Sequence, residues 1–238
     1  MFRFGQFEIT SFGVLVATGA LVGLWILRRE LRRSGLPQSA MDAAAIGIFG
    51  GLLGAKILWS IEHVGDAPFS ALLFSRGGLS WFGGFAGGTF AGLAALRRWH
   101  VPVLGVLAAA TPALAVGHAI GRIGCFLVGD DYGWPTNLPW GVAFPNGLPP
   151  TTVPVHPTQL YEALALSGLA MLLFHWRRSG RPDSFVFGAY LVLAGSIRFA
   201  IEFLRVHEPF LGVLAVAHVA SLIAIAAGVV LLSVPHDR

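Results

Sequence analysis

A chain of 238 residues that is 55% hydrophobic, only 12% charged and +0.71 in mean hydropathy is no ordinary soluble domain, which carries about 25% charged residues. The net charge of +4 and pI near 10.0 raise nucleic acid as a partner, but the basic surplus sits in short clusters flanking apolar runs, so none is expected. The single cysteine, Cys125, excludes an intrachain disulfide and a Cys-rich metal centre.

Apolar runs long enough to cross a bilayer, about 20 residues each, are predicted near Phe12–Leu27, Ala43–Ile61, Leu79–Leu96, Leu104–Val128, Leu160–Trp176, Phe185–Leu204 and Leu211–Ser233. Backbone amides inside hydrocarbon must be satisfied within the chain, so these runs are read as helices. The fold class expected is an all-α integral membrane protein of about seven spans, a single domain over residues 1–238. The first run lacks the basic flank of a cleaved signal peptide, since only Arg3 precedes it and its basic cluster follows.

Arg28, Arg29, Arg32, Arg33, Arg97, Arg98, Arg177, Arg178, Arg181 and Arg238 fall on one side of a seven-span chain, against Arg3, Arg76 and Arg205 on the other. The positive-inside rule then puts the N-terminus in the periplasm and the C-terminus in the cytoplasm. Lys56, Arg122 and Arg198 remain within spans. Glycines recur at helical spacing as Gly47, Gly50, Gly51 and Gly54 in the second span and Gly84, Gly88 and Gly92 in the third. Such faces let helix backbones approach where lipid offers no hydrophobic drive to association.

Charged groups within a span are costly and usually face a cavity or a partner. His118, Arg122 and Cys125 share a face of the fourth span at spacings of four and three, with Asp130 at its outer end. Arg198, Glu202 and Arg205 repeat that spacing in the sixth, where Glu202 can pair with either arginine. The segment at about 129–159 is rich in Pro, Gly and aromatics and reads as an ordered periplasmic lid or entrance, with Trp134, Trp140 and Phe144 as interfacial anchors. The fifth span opens at His156, where Pro157 suits a helix start and Gln159, Tyr161 and Glu162 fill the first turn. Arginines beside a helix N-terminus suit an oxyanion, and the anion native to that depth is a phospholipid head group. His218 is expected to make a structural hydrogen bond. Lys56 either leans on a nearby acid or approaches the same cavity.

These motifs resemble those of the prolipoprotein diacylglyceryl transferases, integral inner-membrane enzymes of bacteria. GRIGCFLVGDDYG at Gly121–Gly133 is the most specific piece, followed by PWGVAFP at Pro139–Pro145, HPTQLYEA at His156–Ala163 and RFAIEFLR at Arg198–Arg205. The resemblance implies transfer of the diacylglyceryl group of phosphatidylglycerol to the thiol of a lipobox cysteine in a prolipoprotein signal peptide, releasing glycerol phosphate, with no metal or organic cofactor. It implies that Arg122 binds the head group, that Arg198 holds the phosphate and stabilises the leaving group, and that Glu202 orients the arginines beside Arg205. Asp130, His156, Gln159, Tyr161 and Glu162 would shape the outer-face site. The partners implied are the lipid bilayer, phosphatidylglycerol and the prolipoprotein, with the enzyme a monomer.

The chain departs from the family pattern at Cys125, where the family has Asn, at Asp130, where it has Glu, and at Phe12, where it has Tyr. The third-span S-F-H-G-G is Ser80-Trp81-Phe82-Gly83-Gly84, so the usual histidine is absent. The substrate thiol must lose a proton to become a nucleophile. His118 is the expected acceptor, with Asp130 or the leaving phosphate as alternatives, and Cys125 is read as a packing residue. A second reading is a non-catalytic phospholipid-binding or lipid-transport paralogue with the same pocket, and a third is a related enzyme using another acceptor or lipid.

Overall fold

The computed structural model describes residues 2–4, 7–75, 78–206 and 215–233. Arg76, Arg238 and the first residues of the span predicted from Leu211 lie outside the described residues. The elements in order are β1 (Phe2–Phe4), β2 (Phe7–Ile9), α1 (Ser11–Arg33), α2 (Ser39–Glu62), α3 (Phe69–Leu73), α4 (Trp81–Arg98), α5 (Val103–Val128), β3 (Val142–Phe144), β4 (Thr151–Val155), α6 (Thr158–Arg178), α7 (Asp183–Glu202) and α8 (Val216–Ser233).

All the helices except α3 have 18 residues or more, and at 1.5 Å per residue even the shortest of these extends about 27 Å. Five of them, α1, α2, α5, α7 and α8, are long and apolar enough to cross a membrane, which makes this a multi-pass membrane protein. The helices α4 and α6 match them in length but are diluted by glycine and by polar residues of the predicted site. Phe49, Leu53 and Phe90 are well exposed, an apolar surface suited to hydrocarbon rather than water. Beyond the predicted helices the fold adds α3 and two antiparallel hairpins, β1–β2 with Phe2 opposite Ile9 and β3–β4 with Val142 opposite Val155.

The chain forms two compact units, Arg28–Val106 and the remainder. In the Arg28–Val106 unit, α2 and α4 meet glycine to glycine. A methyl added at Gly50 or Gly54 would collide with the backbone of Gly87 or Gly83, and one at Gly51 would lie 3.2 Å from the Gly84 carbonyl. The third-span contact face therefore includes Gly83 and Gly87 beside the predicted Gly84, Gly88 and Gly92. Lys56 donates to the Ser75 carbonyl at 3.0 Å and hydroxyl at 2.8 Å and lies over the Trp59 ring. Helix α4 starts at Trp81, after Ser80, so the predicted start at Leu79 comes slightly early.

In the other unit, Ala108, Ala115 and Ala119 of α5 pack with Leu166, Leu169 and Leu173 of α6 and Val186 of α7. Gly188 and Gly228 bring α7 and α8 together, and Gly19 and Gly117 do the same for α1 and α5. His218 is fully buried against Phe199 and Phe203, and its Nδ1 accepts the Ala215 N–H at 3.0 Å. It thereby satisfies an otherwise orphaned donor at the start of α8.

Candidate functional site

The site forms where the C-terminal ends of α5 and α7 meet the N-terminal end of α6. Gly129, at φ +74°, turns the chain out of α5, a conformation that suits glycine at a helix end. Asp131 follows at φ +59°, a left-handed position that aspartate tolerates better than most residues. The next residues are then clamped. Gly133 N–H donates to the His156 carbonyl at 2.9 Å, Trp134 N–H to the Leu204 carbonyl at 2.9 Å, and His156 N–H to the Trp134 carbonyl at 3.0 Å. A methyl on Gly133 would press within 2.9 Å of His156 and Thr158, so glycine is required for three segments to converge here. Thr158 Oγ1 donates to the Asp131 carbonyl at 2.7 Å and fixes that turn against α6.

Glu162, in the first turns of α6, is the centre of the charges, with its side chain only 1% exposed. Its Oε2 lies 2.8 Å from Arg122 Nη2 and 3.5 Å from Arg198 Nη1, and its Oε1 lies 3.5 Å from His118 Nε2. The Arg122 contact is a charge contact outside hydrogen-bond geometry, because the buried Nη2 and Nε of Arg122 have no hydrogen-bond partner among the described residues. Arg122 Nη1 donates to Asp131 Oδ2 at 2.9 Å and approaches Cys125 Sγ at 3.7 Å. Arg198 Nη2 is 2.5 Å from Glu202 Oε2, which also takes Arg205 Nη1 at 3.2 Å. Arg205 Nη2 pairs closely with Asp131 Oδ1.

The ring of pairs is closed: Glu162, Arg198, Glu202, Arg205, Asp131, Arg122 and back to Glu162. A carboxylate buried as deeply as Glu162 is tolerated only with cations close by, and here it has two guanidiniums and an imidazole. Arg122, Arg198 and Arg205 are matched in number by Glu162, Glu202 and Asp131. Of the three guanidinium side chains, Arg198 is the most exposed, at 25%. His118 is half-exposed and one helical turn from Arg122, so its ring is accessible while one nitrogen faces Glu162.

Asp130 and Asp131 differ sharply although adjacent. Among the described residues Asp130 makes no ion pair, and burial pushes its carboxyl above the ordinary range. Burial works against ionisation of Asp131 too, but Arg205 and then Arg122 outweigh it and hold its carboxyl below the ordinary range. The acid paired with the arginines is thus Asp131, while Asp130 at the end of α5 turns away from them. What signalled it was the doubled aspartate after Gly129, where the turn out of α5 directs successive side chains differently. The Asp130 carbonyl accepts Gln159 Nε2 at 2.5 Å, so Gln159 holds the turn.

His156 and Tyr161 form a second group, with Nδ1 and hydroxyl 3.3 Å apart, and Trp140 Nε1 donates to the same hydroxyl at 2.7 Å. Trp134 and Trp140 are exposed. Phe144 is not an exposed anchor: its ring packs edge-on to Phe126 and stacks on Tyr132, each at 5.6 Å, because β3 turns it back towards the end of α5. The ligating atoms of Cys125, Asp130 and Asp131 lie within 4.8 Å of one another, but a cation there would compete with two guanidiniums already on Asp131. A cleft of about 340 Å³ opens beside Asp131, lined also by Tyr132, Trp134, Leu148, Pro149 and Thr151.

A profile of the prolipoprotein diacylglyceryl transferase family matches residues 1–234. Among curated relatives, the phosphatidylglycerol–prolipoprotein diacylglyceryl transferase of Geobacter sulfurreducens is 36% identical over 225 residues, covering 90% of this chain and 84% of that one. The protein of the same name from Nitratidesulfovibrio vulgaris is 35% identical over 220 residues, covering 89% and 82%. That from Clostridium tetani is 32% identical over 210 residues, covering 86% and 84%.

Proposed function

Because this chain belongs to the prolipoprotein diacylglyceryl transferase family, we propose that it transfers the diacylglyceryl group of phosphatidylglycerol to the thiol of a lipobox cysteine in a prolipoprotein signal peptide, releasing glycerol phosphate. The single observation that supports the residue assignment is the convergence of Arg122, Arg198 and His118 on buried Glu162. Phosphate-binding cations and an accessible imidazole then share one positioning carboxylate.

In the reaction, the cysteine sulfur attacks the glycerol carbon that bears the phosphate ester. A C–S bond forms, the C–O bond to phosphate breaks, and its electron pair leaves with the glycerol phosphate oxygen. Arg122 binds the head group, and the buried Nε of Arg122, without a hydrogen-bond partner among the described residues, offers a donor that a phosphate oxygen would satisfy. Arg198 meets the charge that grows on the leaving group, in surroundings where fixed cations act more strongly than in water. Glu202 holds Arg198 and Arg205 in register. Asp130, Gln159, His156 and Tyr161 shape the rim of the site.

The proton goes to His118. With Nε2 facing Glu162, Nδ1 is the nitrogen left to accept it, and imidazole has the right intrinsic basicity near neutral pH. Phe82 cannot fill that role at the position where the family carries histidine. The chain works as one transferase domain of seven spans in the bacterial inner membrane, as a monomer, with its site open to the periplasmic leaflet.

Labelled phosphatidylglycerol and a lipobox peptide incubated with the purified protein are expected to yield thioether-linked peptide and free glycerol phosphate. Lipid binding without product would remove the transfer reaction. His118→Ala is expected to lower turnover about 100-fold or more, and near-parental turnover would remove His118 as the acceptor.

A further inference from the structure

Asp131 stands apart from the other two acids of the ring. Its side chain is 40% exposed, against 1% for Glu162 and 3% for Glu202. Its two oxygens are divided between an arginine of α5 and one just past the end of α7, Oδ2 on Arg122 Nη1 at 2.9 Å and Oδ1 on Arg205 Nη2. Two oxygens on one centre, each facing a different guanidinium, is what the non-bridging oxygens of a phosphodiester would present to the same pair. The carboxylate also borders the cleft of about 340 Å³, so it has room to move aside. The backbone beneath it is held by Thr158, so a swing needs rotation of the side chain alone.

We infer that Asp131 is a displaceable counter-ion, which occupies Arg122 and Arg205 between turnovers, yields them to the lipid phosphate and reclaims them as glycerol phosphate departs. This rests on the reading that Arg122 binds the head group of phosphatidylglycerol, and it adds Arg205, which shares Asp131 with Arg122, as a second contact for the phosphate. The need for such a group follows from charge. The lipid is a phosphodiester with one negative charge, whereas the released monoester carries about 1.5 to 2 near neutral pH. Unopposed arginines would therefore hold product more tightly than substrate. A carboxylate tethered beside them competes at an effective concentration of at least the millimolar order, and its displacement costs the diester and the monoester equally while its return speeds loss of the monoester. An aspartate between two guanidiniums is ionised at neutral pH, so the competitor is charged.

The test is product inhibition of the purified full-length chain in lipid nanodiscs, with phosphatidylglycerol, lipobox peptide and added glycerol phosphate. Asp131→Asn keeps the side-chain shape and tolerates the left-handed backbone. It is expected to tighten the glycerol phosphate inhibition constant about tenfold and to lower the KM for lipid. Damage to the site would weaken both instead. Asp131→Gly, which suits φ +59° still better, carries the same expectation should the Asn variant fold poorly, and Asp131→Glu is expected to return inhibition towards the parental value. An inhibition constant unchanged or weaker in the charge-removed variants, with the parent active and inhibited, overturns the counter-ion role alone. A parent that glycerol phosphate does not inhibit removes the phosphate-on-arginine reading, and this inference with it.

Discussion

At the scale of single residues, Glu162 does the most. It is buried near the start of α6 and lies within 3.5 Å of cationic or titratable nitrogens from α5 and α7. Removing one partner of a buried ion pair costs far more than an exposed pair is worth, because the remaining charge is stranded. Glu162→Gln is therefore expected to lower stability by about 3 kcal/mol or more, read as the midpoint of SDS-driven unfolding in mixed micelles. Arg98→Gln, at an exposed position at the end of α4, is expected to move that midpoint by less than about 1 kcal/mol. The sequence placed Glu162 in a first helical turn among candidate site residues. Its central position was not visible there, because centrality depends on which helices bring arginines to it.

Among the elements, the pairing of α2 with α4 is the most sharply determined by residue type. Glycine at four-residue spacing removes the side chains that would otherwise hold the backbones apart. Leucine at Gly87 would have to displace the Gly50 and Gly54 backbone, not a flexible side chain, so Gly87→Leu is expected to destabilise by more than about 3 kcal/mol. Alanine at Gly65, which has nothing within 4 Å of a new methyl, is the control and should be nearly silent. Thermal aggregation of the detergent-solubilised variants, followed by size-exclusion fluorescence, separates the two. The segment between α5 and α6 is a different case. Its Pro, Gly and aromatic content indicated order, but the register of the β3–β4 hairpin and the packing of Phe144 on Phe126 and Tyr132 depend on how the segment folds back on itself and on the end of α5.

For the whole molecule, the asymmetry of arginines predicts one orientation. Alkaline phosphatase joined after Thr136 is expected to be active, and the same reporter after Ser179, beside Arg177 and Arg178, to be inactive; the reverse pattern would invert the topology. The sequence by itself determined that this is a membrane protein, that its long runs are helices, that glycine faces pair, and that arginines within spans must meet acids or anions. Those conclusions follow from local composition, helical period and the cost of bare charge in hydrocarbon, none of which needs distant contacts. Only the tertiary structure decided that Asp131 rather than Asp130 closes the ring of ion pairs, that three carboxylates match three guanidiniums, and that His118 shares Glu162 with Arg122 and Arg198. Side-chain direction at a turn, and the distance between groups on separate helices, are set by packing between segments that lie far apart in the chain.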